Sequence, residues 1–174
     1  MSTRTVCVIP VSNVPDELKA FRQNHIHHPG AAIPLHTTVL PYFLADADLT
    51  NEVIGRLQAL ADGFMSFEYF AQPICAFPTS RTLWLSPSPQ SHFEQVTEAL
   101  CSEFPQFRGG VGYPVYHLTI AYGAEEAASP ELAQRFVEQF KPQLPFRFIA
   151  DELAVYGEFD DTWKHILSVP FRSR

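Results

Sequence analysis

Two copies of one short pattern contain the residues best suited to chemistry in this sequence. They read His-Thr-Thr-Val at 36–39 and His-Leu-Thr-Ile at 117–120. Two histidines that meet at one site can act as an acid and a base near neutral pH, because imidazole exists there in both protonation states. Such a pair suits phosphodiester chemistry, since one ring can deprotonate water or a ribose hydroxyl while the other protonates the leaving oxygen.

Both patterns lie in apolar runs that are typical of β-strands. Because side chains alternate between the two faces of a strand, each histidine shares a face with the threonine two positions later. The threonine hydroxyls can donate hydrogen bonds to the non-bridging phosphate oxygens, where negative charge gathers in the transition state. This chemistry requires no metal ion. The predicted catalytic set is His36, Thr38, His117 and Thr119.

The order of predicted elements is similar around the two copies, which indicates an internal repeat. After each copy we expect a helix, beginning near Thr50 and at Ser129, and then strands at 67–77, 81–85, 146–156 and 165–169. Helices at 15–23 and 91–104 precede the copies, and a Ser91-x-x-Glu94 capping box opens the second of them. A single strand histidine beside a threonine is more often structural, but two copies within a repeat favour a shared site.

These elements predict an α+β fold with a bilobal, pseudo-twofold duplication. We expect two mostly antiparallel sheets that face a central cleft and have helices on their outer faces. Strict alternation puts Leu118, Ile120 and Tyr122 under the helices and leaves both His-x-Thr faces toward the cleft. Since no Gly/Ser-rich linker separates the halves, residues 1–174 are expected to form one domain, with motif lobes at about 30–88 and 91–170.

Composition narrows the class of protein and its partners. The chain has 174 residues and a formal net charge of −7, and its 46% hydrophobic and 18% charged content is ordinary for a soluble globular protein. No apolar run is long enough for a membrane span and no targeting peptide is expected, so we expect a cytoplasmic protein. The negative charge disfavours binding along extended nucleic acid but permits a small phosphate-bearing ligand. A monomer is expected.

The cysteines and the other histidines give no signal for a metal or a cofactor. Cys7, Cys75 and Cys101 are far apart and lack CxxC spacing, so we expect buried thiols rather than disulfides or a zinc site. His25, His27 and His28 lie beside Pro29-Gly30 without a carboxylate or cysteine at ligand spacing, which predicts a loop bordering the cleft.

The paired motifs, 81 positions apart, resemble those of the 2H phosphoesterases, and within them the 2′-5′ RNA ligase-like and cyclic phosphodiesterase branch. Residues 33–43 (IPLHTTVLPYF) are similar to the extended first motif of that family, and 81–85 (RTLWL) are similar to the strand after its first-lobe helix. The resemblance spans nearly the whole chain, although the second motif departs from the usual apolar continuation at 120–123.

The resemblance implies metal-free transfer or hydrolysis at 2′,3′-cyclic phosphates or 2′-5′ linkages by the four motif residues. The expected function is the opening of 2′,3′-cyclic phosphates on small nucleotides or RNA ends, with both limbs of the pH–rate curve near ordinary imidazole values. One alternative is a 2′-5′ phosphodiester hydrolase or RNA ligase. Another is a non-catalytic module of the same fold that binds a phosphorylated ligand.

Three further residues are candidates for substrate binding. Arg81 begins a strand expected beside the first motif strand, where a guanidinium could pair with phosphate, or it is an ordinary surface arginine. Tyr42 and Tyr122 could stack on a base or hydrogen-bond to the phosphate, and Tyr113 is a weaker candidate of the same kind. Each tyrosine could equally be a packing residue.

Overall fold

The computed structural model describes residues 4–111 and 115–173 and confirms a mixed helix and strand composition. None of the helices in these ranges is long and apolar enough to cross a membrane. The helices are α1 (Asp16–His25), α2 (Asn51–Ala61), α3 (Ser91–Glu103), α4 (Arg108–Val111) and α5 (Pro130–Phe140). The strands are β1 (Thr5–Pro10), β2 (His36–Leu40), β3 (Phe67–Phe77), β4 (Thr82–Ser88), β5 (Leu118–Tyr122), β6 (Phe146–Ala150), β7 (Glu152–Phe159) and β8 (Thr162–Pro170).

The described strands form one curled antiparallel sheet in the order β6-β3-β4-β5-β2-β1-β7-β8. The expected pair of facing sheets is not found there, because the two motif strands, β2 and β5, lie side by side in the middle of this sheet. One antiparallel pair of residues, Thr37 opposite Leu118, joins these two strands. The two motifs therefore meet along a seam between two four-stranded halves of one sheet.

Each half of the sheet takes strands from both halves of the sequence. The β3–β4 hairpin follows the first motif along the chain, yet β4 pairs with β5 of the second motif. Similarly, β7 follows the second motif but pairs with β1. The prediction that the strand after Arg81 adjoins the first motif strand is therefore wrong: β4 adjoins the second.

Local signals placed most elements correctly, with two exceptions. Ser129 Oγ accepts the Leu132 N–H at 3.1 Å, and Thr50 Oγ1 accepts the Val53 N–H at 3.3 Å, as expected of N-caps. The capping box at Ser91 is wrong, because Ser91 is the first residue of α3 and Gln90 occupies the N-cap position without a side-chain cap. The predicted strand at 146–156 divides into β6 and β7, since its two parts pair with β3 and β1 at distant positions in the sheet.

The sheet buries apolar side chains on both faces. On the helix face, which bears α2, α3 and α5, Cys7 and Ile9 of β1 join a large core that includes Phe93 and Phe136. On the opposite face, here called the motif face because it bears the His-x-Thr side chains, a smaller cluster contains Val6, Val8, Ile33, Ala154, Tyr156 and Trp163. Cys7 and Cys101 are buried, Cys75 is half-buried, and all three cysteines are free.

Candidate active site

The pairing of β2 with β5 brings the two motifs together. Thr37 and Leu118 occupy equivalent positions in the two copies and lie directly opposite each other, both fully buried on the helix face. In an antiparallel pair the flanking residues also face each other, so His36 lies across from Thr119 and Thr38 across from His117. The structure thus gathers the predicted set on the motif face, where all four side chains are half-buried: His36, Thr38, His117 and Thr119.

Both histidine rings are held by the same local contact. The Nδ1 atom of His36 lies 2.6 Å from the Pro34 carbonyl oxygen, and Nδ1 of His117 lies 2.6 Å from the Val115 carbonyl oxygen. Because a carbonyl oxygen only accepts hydrogen bonds, each Nδ1 must carry the proton in the neutral ring. Each Nε2 is then left to accept or donate a proton at the site.

A β-bulge follows each motif threonine. The register of β2 against β1 slips at Val39, and the register of β5 against β4 slips at Ile120, which is the same position in the other copy. Each extra residue reverses the alternation beyond it. The following side chains, Pro41 and Tyr122, therefore return to the motif face. The expectation that Tyr122 packs under the helices is wrong for this reason.

Helix side chains bind backbone carbonyls at both bulges. Thr97 of α3 donates its hydroxyl to the Val39 carbonyl at 3.1 Å and accepts a hydrogen bond from the Tyr116 hydroxyl at 2.9 Å. Arg22 of α1 donates its Nε–H to the Thr119 carbonyl at 2.9 Å. Each motif strand is therefore fixed to a helix beside its catalytic candidates.

A cavity of about 260 Å³ lies on the motif face. His36, Thr38 and Thr119 line it, together with the cations Arg4 and Arg22. No carboxylate of the described residues lines this cavity, although the chain carries a net charge of −7. Its local charge therefore suits an anionic ligand.

His117 lies beside this cavity rather than in its wall. Its ring meets those of Phe77 and Trp84 edge to face, with centroid distances of 5.4 and 5.7 Å. The two histidines thus have different neighbours: His36 shares its cavity with guanidinium groups, whereas His117 packs against aromatic rings.

The pKa values of both motif histidines are lowered. Burial lowers the pKa of His36 to about 4, opposed by its hydrogen bond to the Pro34 carbonyl and assisted by the charges of Arg22 and His117. Burial also lowers the pKa of His117, again opposed by a carbonyl hydrogen bond. Both rings are therefore neutral at pH 7, and they lie close enough to influence each other electrostatically.

Arg22 is the main residue that the sequence reasoning missed. It is only 9% exposed, and burial lowers its pKa to about 10. Its spacing in the sequence could have identified it, because Arg22 follows Leu18 and Phe21 at helical intervals and these three are the buried residues of α1. An arginine within such an apolar stripe must find polar partners inside the protein.

The residues after α1 border the cavity, as predicted for His27 and His28, whereas His25 is the last residue of α1 rather than part of the loop. The His27 N–H donates to the Tyr122 carbonyl at 3.0 Å, and the His28 ring meets the Tyr122 ring edge to face at 4.9 Å. His28 lines the cavity, as does Trp163 from β8. Among the described residues, no three histidine, cysteine, aspartate or glutamate side chains cluster as metal ligands would.

Of the other sequence candidates, Arg81 and Tyr42 do not line this cavity. Arg81 is exposed in the turn before β4, with a left-handed φ of 51°. Tyr42 is 55% exposed, and the Arg4 guanidinium lies 5.5 Å from its ring centroid. Tyr113 belongs to 112–114, which lie outside the described residues. Of the three tyrosine candidates, Tyr122 lines the cavity.

Gly123 permits the close approach of the histidine loop, and its replacement by alanine is expected to destabilise the protein. Its φ is +89°, and an added Cβ would lie 3.1 Å from the His27 carbonyl oxygen. We expect Gly123→Ala to lower the free energy of unfolding by about 1–3 kcal/mol in urea titrations.

Gly55→Ala is the matched control, because Gly55 lies in α2 with no atom within 4 Å of an added Cβ. This change should stabilise the protein by about 0.5–1 kcal/mol. Equal effects of the two substitutions would show that the loop does not depend on glycine at 123.

Comparison with known families agrees with this architecture. The family model of the 2′-5′ RNA ligase superfamily matches residues 10–161. The chain therefore belongs to this superfamily of 2H phosphoesterases, which confirms the resemblance seen in its paired motifs. No curated protein sequence is significantly similar to the chain.

Solved structures share the fold over almost the whole chain. E. coli LigT complexed with NADP+ superimposes with a TM-score of 0.62 at 18% identity, covering 98% of this chain and 99% of LigT. The protein TT0787 of Thermus thermophilus superimposes with a TM-score of 0.58 at 15% identity, covering 99% of this chain and 100% of TT0787. Kluyveromyces marxianus Usb1 with uridine monophosphate superimposes with a TM-score of 0.51 at 14% identity, covering 96% of this chain and 98% of Usb1.

Proposed function

We propose that this protein is a metal-independent phosphoesterase that opens 2′,3′-cyclic phosphates on small nucleotides or RNA ends. The main support is the antiparallel pairing at Thr37 and Leu118, which sets two histidines on one face of the sheet. The hydrogen bonds at Nδ1 leave both Nε2 atoms available for proton transfer. Membership of a superfamily of phosphoesterases and RNA ligases agrees with this chemistry.

In the proposed reaction His36 acts as the base and His117 as the acid. Nε2 of His36 takes a proton from water as the water oxygen forms a bond to phosphorus. The bond from phosphorus to one ribose oxygen breaks, and protonated His117 gives its Nε2 proton to that oxygen. Exchange with solvent then restores both rings. Thr38 and Thr119 donate hydroxyl hydrogen bonds to the non-bridging oxygens.

The different surroundings of the two rings support this assignment of roles. The nearby charge of Arg22 favours neutral His36, which is the form that a base requires. At His117 burial lowers the pKa with no contribution from the charge of Arg22, so the protonated form that an acid requires is less disfavoured there than at His36.

The substrate class follows from the charge of the cavity. Arg4 and Arg22 line a space that contains no carboxylate of the described residues, which favours a phosphate-bearing ligand. Solved structures of similar fold hold small nucleotides: LigT has been crystallised with 3′-AMP, and Usb1 with uridine monophosphate. We extend that ligand class to this chain.

The proposal predicts a bell-shaped pH dependence of kcat/KM with an acidic optimum. The rate should fall as pH drops through the His36 pKa of about 4, since the base must be neutral. It should also fall as pH rises through the His117 pKa, which is lowered from 6.5, since the acid must be protonated. Both limbs should therefore lie below ordinary imidazole values. Hydrolysis of 2′,3′-cyclic nucleotides in the presence of EDTA measures the profile.

The same assay separates the rival functions. Turnover of a 2′-5′-linked dinucleotide without cyclic phosphate opening would favour the hydrolase or ligase alternative. Nucleotide binding without turnover of either substrate would favour a binding module. Loss of activity in EDTA that is restored by a divalent metal would contradict the metal-independent mechanism.

A further inference from the structure

Arg22 is a buried cation in the wall of the cavity. It is 9% exposed and lines the cavity together with His36, Thr38 and Thr119. Its position on α1 is secured by the neighbouring Phe21, which packs against Phe136 and Phe140 of α5. The guanidinium is therefore held in place by the fold.

No carboxylate of the described residues compensates the charge of Arg22. Within residues 4–111 and 115–173, the ion pairs involve other arginines and a lysine, and none includes Arg22. Its polar contacts there are two backbone carbonyls, those of Thr119 at 2.9 Å from Nε and of Ile33 at 3.4 Å from one terminal nitrogen. A guanidinium has five N–H donors, so donors remain for a ligand.

Arg4, the other arginine of the cavity, has a different environment. It forms an ion pair with Glu158 at 3.4 Å, and its guanidinium lies 5.5 Å from the ring centroids of both Tyr42 and Trp163. Its side chain is half exposed in that pair. Arg22 is thus the cavity arginine that is both buried and without a carboxylate partner in the described chain.

A buried charge that lacks a counter-ion is costly, and such groups are usually paired in the functional state. A planar guanidinium matches two oxygens of a phosphate and forms strong charge-assisted hydrogen bonds with them. The bond from Arg22 Nε to the Thr119 carbonyl also ties this guanidinium to the second motif. A phosphoryl group bound here would lie beside His36 and both motif threonines.

We infer that Arg22 binds the phosphoryl group of the substrate and holds a non-bridging oxygen next to the motif residues, an inference that rests on the proposed function. Arg22 is then a binding residue contributed by α1, outside both His-x-Thr motifs. It supplies the counter-charge that the neutral threonine hydroxyls cannot.

Inorganic phosphate binding tests this inference without requiring turnover. We expect Arg22→Met to weaken phosphate binding, measured by calorimetry, by about 30- to 100-fold. It should also lower kcat/KM by about 100-fold if the protein hydrolyses cyclic phosphates. Arg22→Lys should weaken phosphate binding by about tenfold, because an ammonium keeps the charge but cannot bind two phosphate oxygens as a planar guanidinium does. Arg147→Met is the matched control, since Arg147 is exposed and pairs with Glu68 at the sheet edge; it should bind phosphate normally.

A second measurement does not depend on whether the Arg22→Met variant folds. In the unmodified protein, the ¹⁵N resonance of Arg22 Nε, assigned by its loss in Arg22→Lys, should shift on phosphate titration, while that of Arg147 should not. Unchanged phosphate affinity in Arg22→Met, an unresponsive Nε resonance, or no phosphate binding by the unmodified protein would each overturn the inference. Arg22-dependent phosphate binding without any turnover would instead refute the proposed function alone.

Discussion

Replacing either His36 or His117 by alanine is expected to lower kcat for 2′,3′-cyclic nucleotide hydrolysis by about 10²- to 10⁴-fold. In the proposed mechanism each ring transfers a proton at a different oxygen, so neither can substitute for the other. The double variant should be scarcely worse than either single one, because residues that act as a unit are not additive. Steady-state kinetics measure the loss, and circular dichroism melting should show that both single variants remain folded.

His165→Ala provides the matched control for these variants. His165 is an exposed strand histidine on β8, and its Nε2 atom lies 2.8 Å from Ser168 Oγ, outside the cavity wall. This variant should keep full activity. Substantial activity in either motif-histidine variant would remove the two-histidine mechanism, whatever the result for His165.

Phe136→Ala is expected to cause the largest loss of stability, about 3–5 kcal/mol in the free energy of unfolding. Phe136 is fully buried on α5, and its ring centroid lies 5.0 Å from that of Phe21 and 4.6 Å from that of Phe140. Truncation would leave a cavity between α5 and α1, the helix that carries Arg22. Urea denaturation monitored by circular dichroism measures the change.

Val137→Ala is the control on the same helix. Val137 follows Phe136 directly but is 40% exposed, so little apolar contact is lost on truncation. The expected change is within about 0.5 kcal/mol. Similar losses for the two substitutions would mean that burial of Phe136 does not anchor α5 to the core.

Helices and strands marked by capping residues or by a hydrophobic pattern were predictable from the sequence. The order of the strands in the sheet was not. The N-cap Ser129 followed by Pro130 fixes the start of α5, and the bounds of β3 agree with the predicted strand. The neighbour of a strand depends on contacts that are distant in sequence. No residue in 81–85 indicates that β4 would pair with β5 instead of β2.

The same distinction applies to the site. His36, Thr38, His117 and Thr119 share a face because of a two-residue period, which is visible in any strand sequence. Arg22, His28 and Trp163 reach the cavity from other elements, and that proximity has no local signature. The side chain of Tyr122 faces the cavity because of the bulge at Ile120, and strict alternation of side chains does not predict that bulge.

The exchange of strands between the two halves of the sequence determines how the protein can be divided. β1 hydrogen-bonds to β7, and β4 to β5, so a cut between β4 and α3 would separate strands that pair with each other. Each fragment would expose unpaired strand edges, which favour aggregation. Although the sequence has the pattern of a tandem duplication, neither repeat contains all the pairing partners of its own strands. Separately produced fragments would recover the paired motifs only by complementation, as a split protein does.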